Sequence, residues 1–227
     1  LDTWKPFIDL RADQIKHSLG GQNFSIEAAL RFAIASIRET LEEAGVIIAY
    51  GKDKNQDDTD ELAAFRLNKN LSSLWFMEKI IKDNWTLSLS SLGRWSHWIT
   101  PELMKKRFDT RFFITFMPEK QTCIPDDMET KHGIWLTPKK ALEENLTGKI
   151  PLSPPTLVTL THMMKFKTPE DLKNEMKSRT WGDPIAPRLV PSAKGPVILE
   201  PWDEKWDSDC TIDMAGMDDR VLPAGSD

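Results

Sequence analysis

The sequence has few cysteines, no long apolar run and no excess of basic charge. Cys123 and Cys210 are the two cysteines among 227 residues. They are too few for a disulfide framework or a cysteine-rich metal site, which favours a reducing compartment. No apolar stretch approaches the roughly 18 residues that a membrane-spanning helix needs. The net charge of −5 argues against nucleic acid as the main partner, because phosphate-backbone binding needs a dense basic surface. We therefore expect a soluble protein with neither a membrane nor a nucleic-acid partner.

Neither end of the sequence matches a known targeting signal. The opening "LDTWKPFIDL" lacks the basic segment, the apolar run and the small-residue cleavage site of a signal peptide. It also does not begin with methionine, so we expect an amino-terminal piece to be missing. The final "GSD" is not a peroxisomal address. The expected location is a bacterial-type cytoplasm.

One helix has a clear pattern. Ser25 is a suitable N-cap and Gly45 a suitable terminator for a helix between them. Apolar residues recur at steps of three and four along it, at Ile26, Leu30, Ala33, Ile34, Ile37 and Leu41. At about 100° per residue, this stripe lies nearly opposite Glu39, Glu42 and Glu43. The sequence therefore predicts a helix with one face in a core and three carboxylates on the other.

These carboxylates stand where a helix disfavours negative charge. The dipole is negative at the carboxyl end, and close like charges repel one another. One interpretation is a solvated face in which Arg38 pairs with Glu42 one turn further along the helix. The other is a site for a cation.

Further elements are predicted from periodicity and turn residues. Predicted strands lie at 46–50, 94–100, 107–117, 134–137 and 196–202. Predicted helices lie in two pieces within 60–84, from Pro138 onward, and over 153–166 and 168–181. Residues 1–24 have an irregular, polar pattern, and residues 51–61 are predicted to be a charged connection.

The stretch "RETLEEAGV", 38–46, resembles the second half of the Nudix box, R-E-U-x-E-E-x-G-U, where U is a bulky apolar residue. The matching residues are Arg38, Glu39, Glu42, Glu43, Gly45 and Val46. Thr40 departs from the first U. The first half of the box does not match at its usual spacing, because Leu30 stands at its glutamate and Phe24 at its glycine.

Downstream segments extend the resemblance. Residues 98–118, 134–143 and 152–166 are similar to the Nudix branch of the nineteen-type peroxisomal coenzyme A diphosphatase and its bacterial relatives. Members of this branch carry an insertion before the catalytic helix, often with "LD" near its start. Here "LD" is Leu1–Asp2.

The resemblance implies an α/β (α+β) fold, a Nudix α-β-α sandwich with a mixed β-sheet and additional C-terminal helices. It implies one Nudix-type domain over 1–202, followed by an acidic C-terminal tail over 203–227. Within the domain, 1–24 would be the insertion or loop, 25–45 the catalytic helix and 153–181 the added helices.

The implied activity is metal-dependent hydrolysis of a pyrophosphate bond, with Mg²⁺ or Mn²⁺ as cofactor and coenzyme A or acyl-coenzyme A as substrate. The implied metal ligands are Glu39, Glu42 and Glu43, with Arg38 orienting a glutamate. The general base is open among Asp126, Asp127 and Glu129, and Glu129 is preferred on position. The catalytic set is therefore Arg38, Glu39, Glu42 and Glu129.

Alternatives remain for the function and the assembly. An ADP-ribose or nucleotide-sugar pyrophosphatase would keep the chemistry and change the pocket, whereas a non-catalytic Nudix-fold module would bind a nucleotide without cleaving it. The expected partner is a small-molecule nucleotide substrate, and a homodimer is left open.

Overall fold

A computed structural model describes residues 2–21, 24–51, 53–68, 70–102, 104, 106–125, 133–190, 197–204 and 206. The α-helices in these residues are α1 (Ala12–Ser18), α2 (Ile26–Ala44), α3 (Gln56–Phe65), α4 (Trp75–Lys82), α5 (Pro138–Leu146), α6 (Pro154–Met163) and α7 (Pro169–Ser178). The strands are β1 (Ala49–Tyr50), β2 (Thr86–Leu87), β3 (Gly93–Ile99), β4 (Asp109–Ile114), β5 (Arg188–Val190) and β6 (Val197–Leu199). Short 3-10 helices occupy Lys5–Phe7 and Leu89–Ser91.

The strands pair two by two, as β1–β2, β3–β4 and β5–β6. β1 runs antiparallel to β2 with Ala49 opposite Leu87, and Ile8 adds a parallel bridge to the same leucine. Among the described residues the strands thus form three small, two-stranded sheets. The predicted α+β class with added C-terminal helices is confirmed.

The chain forms two compact units, Leu1–Arg94 with Phe113–Trp135, and Trp95–Phe112 with Leu136–Asp227. The domain limits drawn from the resemblance, 1–202 and 203–227, stay a prediction.

The core of the first unit is built around α2. Its predicted apolar stripe is buried at Leu30, Ala33, Ile37 and Leu41, and α1 packs against it through Ile15 and Leu19. Ser25 caps the helix, since its Oγ accepts a hydrogen bond from the Ala28 N–H at 3.1 Å. The predicted start, the stop at Gly45 and the buried face of this helix are confirmed.

The second unit holds the later helices and strands. α5 packs against α6, and β5 runs antiparallel to β6 with Leu189 opposite Ile198. Arg179 ties the end of α7 to β3, because its Nε donates to the Trp95 carbonyl at 2.7 Å and its guanidinium lies over the Trp95 ring.

Some predicted elements are wrong. The predicted strand at 46–50 is reduced to Ala49–Tyr50, because the Gln121 side-chain amide exchanges two 2.9 Å hydrogen bonds with the backbone of Ile47 in place of a partner strand. No strand forms at 134–137, which is irregular; Ile134 and Trp135 are 67% and 76% exposed there.

Two segments predicted to be irregular contain helices. Residues 1–24 include α1, whose buried Ile15 supplies a core contact. The charged connection at 51–61 includes the first turns of α3, which begin in a capping box between Asn55 and Asp58. Reciprocal capping hydrogen bonds offset the low helix propensity of such polar residues.

No helix within the described ranges is both long and apolar enough to cross a membrane.

Candidate active site

The candidate site lies at the carboxyl end of α2. The residues of the box occupy the last two turns, where the helix ends on Gly45 in the left-handed conformation with φ of 69°. The Gly45 N–H donates to the Leu41 carbonyl at 2.9 Å. This ending keeps the glutamates on a regular helix, so their relative positions follow from helical geometry.

Arg38 brings two of the glutamates together. Its Nη1 donates to Glu42 Oε2 and its Nη2 donates to Glu39 Oε1. The predicted ion pair of Arg38 with a box glutamate is therefore present. The side chains of Glu39 and Glu42 are 49% and 28% exposed, so water still reaches both carboxylates. The arginine charge offsets the repulsion between them.

Glu42 has a second partner that the sequence pattern did not indicate. The indole Nε1 of Trp75, the first residue of α4, donates to Glu42 Oε1 at 3.0 Å. Both carboxylate oxygens of Glu42 thus accept a hydrogen bond, one from Arg38 and one from Trp75. Because Trp75 is 33 positions further along the chain, no periodicity or spacing could have linked the two residues.

Arg66, the residue that ends α3, fixes the backbone of the same glutamate. Its Nε donates to the Glu42 carbonyl at 3.0 Å, and its other nitrogens donate to the carbonyls of Ala63 and Ile124. The residue is 8% exposed. Carbonyls in the last turn of a helix have no partner within the helix and carry the negative end of the dipole, so a buried guanidinium stabilises this end.

Four predicted site residues remain: the third proposed metal ligand and the three candidates for the general base. Glu43 is exposed in the last turn of α2. Asp126, Asp127 and Glu129 lie outside the described residues, so the choice of general base stays a prediction.

The donor set fits a hard divalent cation in chemical kind, since carboxylate oxygens are the ligands that Mg²⁺ prefers. Arg38 holds two of the three predicted ligands, Glu39 and Glu42, side by side. Within the described residues, however, no three His, Cys, Asp or Glu side chains are grouped closely enough to hold a metal ion.

A pocket of about 390 Å³ opens beside Trp75. Its lining combines the aromatic rings of Phe65 and Trp75 with the charged side chains of Glu78, Lys79 and Lys82. Burial alone would lower the pKa of Lys79, but hydrogen bonds to Asp83 and Glu61 raise it overall. The ammonium group of Lys79 is thus already matched by two carboxylates, at 2.8 and 3.1 Å.

Comparison with a solved structure shows which fold the chain has. The chain resembles a NUDIX hydrolase from Alicyclobacillus acidocaldarius with a TM-score of 0.50 and 20% identity, over 69% of this chain and 68% of that one. That likeness defines the fold of a Nudix hydrolase. The sequence profile described as the NUDT19 Nudix domain matches residues 9–163, and the chain belongs to that family.

Curated relatives carry Nudix names, some of them NUDT19. An acyl-coenzyme A diphosphatase NUDT19 from Homo sapiens is 29% identical over 194 residues, covering 78% of this chain and 52% of its own length. The Xenopus laevis protein of that name is 28% identical over 162 residues, covering 65% and 43%. A putative nudix hydrolase 7 from Caenorhabditis elegans is 27% identical over 139 residues, covering 60% and 45%. The chain spans about half the length of the curated relatives it matches.

Proposed function

We propose that this chain hydrolyses the pyrophosphate bond of a nucleoside diphosphate derivative, with Mg²⁺ or Mn²⁺ as cofactor. The observation that carries the proposal is the pair of box glutamates, Glu39 and Glu42, held side by side by Arg38 at the end of α2. In a chain of the NUDT19 Nudix domain family, this pair would supply oxygen ligands to a cation.

The proposed ligands are Glu39, Glu42 and Glu43. A bound divalent ion would neutralise the charge that builds on the phosphoryl oxygens during hydrolysis. The protein contributes the positions of the carboxylates: Arg38 donates hydrogen bonds to the side chains of Glu39 and Glu42, and Arg66 donates one to the Glu42 backbone carbonyl. The cation charge would also offset the repulsion among the glutamates and their conflict with the helix dipole.

The proposed substrate is coenzyme A or an acyl-coenzyme A. Support comes from the NUDT19 relatives of Homo sapiens and Xenopus laevis, which are named acyl-coenzyme A diphosphatases. Water adds hydroxyl to one phosphorus of the pyrophosphate, and the other phosphate leaves with its bridging oxygen. The products would be adenosine 3′,5′-bisphosphate and a 4′-phosphopantetheine. Glu129 is the proposed acceptor of the water proton, and Asp126 and Asp127 are its alternatives.

The test is turnover of a substrate panel with Mg²⁺ and, separately, with Mn²⁺. The panel contains coenzyme A, an acyl-coenzyme A, ADP-ribose and a nucleotide sugar, and products are identified by mass. We expect the two coenzyme A substrates to be cleaved with the highest kcat/KM. Preferred cleavage of ADP-ribose or the nucleotide sugar would refute the substrate assignment and keep the chemistry. Binding of a panel member without cleavage of any would refute the hydrolase proposal in favour of a nucleotide-binding module.

A further inference from the structure

Trp75 directs its polar edge at a carboxylate of the candidate site. The residue is 8% exposed, and its indole Nε1 lies 3.0 Å from Glu42 Oε1. The indole N–H acts only as a hydrogen-bond donor, and an ionised carboxylate acts only as an acceptor. A donor that reaches an ionised acceptor forms a charge-assisted bond, which is stronger than a neutral one.

Aromatic neighbours fix the orientation of this indole. The Trp75 ring lies 6.0 Å from the Phe65 ring and 5.8 Å from the Phe76 ring, the second contact being edge to face. These are ordinary distances for packed aromatic pairs. The N–H therefore points at Glu42 because of core packing, and that direction does not depend on any contact with a ligand.

The indole restrains Glu42 in a way that Arg38 alone does not. Arg38 is 38% exposed at its side chain, and exposed ion pairs hold long side chains only weakly. With Arg38 on Oε2 and Trp75 on Oε1, each oxygen of the Glu42 carboxylate has its own donor, which restrains rotation of the group. Each carboxylate oxygen has about two lone-pair sites, so the hydrogen bonds from described residues leave one site on each oxygen for a cation.

We propose that Trp75 is a positioning residue for the metal ligand Glu42, and that its indole N–H presets the carboxylate for cation binding. This inference rests on the proposed function, since it assigns Glu42 to the metal. Trp75 touches neither the cation nor the reacting atoms; it acts through the glutamate. Outer partners of this kind typically contribute about 10- to 100-fold to metal affinity or activity.

Trp75→Phe is the informative variant, because it removes the N–H and keeps an aromatic ring between Phe65 and Phe76. The matched control is Trp4→Phe. The Trp4 ring also packs on Phe76, at 6.3 Å, and its indole makes no hydrogen bond within the described part of the chain. Circular dichroism and thermal melting of both variants check that each folds as the wild type does.

The first measurement is Mn²⁺ affinity, by the electron paramagnetic resonance of free Mn²⁺ without substrate. We expect Trp75→Phe to bind Mn²⁺ about 10- to 100-fold more weakly than wild type, and Trp4→Phe to stay within about twofold. At saturating Mn²⁺, the coenzyme A KM should change by less than about threefold in Trp75→Phe, because a positioning role for a metal ligand leaves substrate contacts in place.

The second measurement is nuclear magnetic resonance of the indole N–H groups in metal-free protein. The resonance missing from Trp75→Phe identifies the group, and Glu42→Gln should shift this resonance more than those of the other indoles. An unshifted Trp75 resonance would overturn the inference.

The two proposals fail in different ways. If wild type binds Mn²⁺ and Trp75→Phe binds it as tightly, the positioning role is refuted while the proposed function stands. If wild type binds no Mn²⁺ and cleaves no panel substrate, the proposed function is refuted, and the role of Trp75 with it.

Discussion

Gly45→Ala should destabilise the protein more than the same substitution at another glycine with a similar backbone conformation. Gly45 ends α2 with φ of 69°, and the left-handed conformation costs an alanine about 1–2 kcal/mol. A methyl group there would also lie 3.2 Å from the Arg66 guanidinium and 3.3 Å from the Ile124 carbonyl. Arg66 cannot retreat without lengthening its hydrogen bonds to Glu42 and Ile124. Such overpacking costs about 1–3 kcal/mol.

Gly148→Ala is the matched control. Its φ is 74°, and an added methyl group would meet no atom within 4 Å, so only the conformational cost applies. Urea unfolding of the two variants should show a loss of at least about 2 kcal/mol for Gly45→Ala and about 1–2 kcal/mol for Gly148→Ala. Equal losses would refute the inference that the close approach of Arg66 to α2 requires glycine at this position.

Two further predictions concern stability. Ser25→Ala should lower the free energy of unfolding by about 1 kcal/mol by removing the N-cap of α2; the control is Ser153→Ala at α6, whose side chain caps no backbone N–H, and equal urea-unfolding losses would contradict the capping assignment. Burial, with the charge of Arg111, lowers the pKa of His97 below 6.5, although the carboxylate of Asp109 opposes the shift. His97 therefore binds a proton more readily in the unfolded chain than in the folded protein. The contribution of neutral His97 to the free energy of unfolding is present above pH 6.5 and is lost as the pH falls below it. Melting temperatures from pH 8 down to pH 5 should fall more steeply in wild type than in His97→Gln, and parallel curves would refute this.

The position of α2 could be predicted from the sequence because its determinants are local. Ser25 and Gly45 mark its ends through backbone preferences, and the spacing of its apolar residues predicts the buried face. The same spacing places the glutamates opposite that face, and the order of residues in the box places Arg38 within reach of them. Family, fold class and the candidate helix therefore follow from a short stretch and its neighbours.

The contacts that arrange the site could not be predicted, because they join residues far apart in sequence. In the sequence Trp75 resembles an ordinary core aromatic residue, and only the structure shows that its N–H donates to Glu42. Arg66 has the pattern of a surface charge, although three carbonyls accept its hydrogen bonds in a buried position. Gln121 replaces a strand partner of Ile47 from 74 positions away. Periodicity reports which face of an element is buried, but not what that face meets.

The central claim is that the glutamates at the end of α2 bind the cation needed for pyrophosphate hydrolysis. Its most direct test is the turnover of coenzyme A by Glu42→Gln with saturating Mn²⁺, compared with wild type and with Glu27→Gln. Glu27 is an exposed glutamate in the first turn of the same helix, so the control loses the same charge at the opposite end.

Because outer partners of a metal site alone contribute about 10- to 100-fold, loss of a ligand should lower kcat/KM by at least about 100-fold. Glu27→Gln should stay within about twofold of wild type. A fall of only a few-fold in Glu42→Gln, or equal falls in the two variants, would contradict the assignment of Glu42 to the metal.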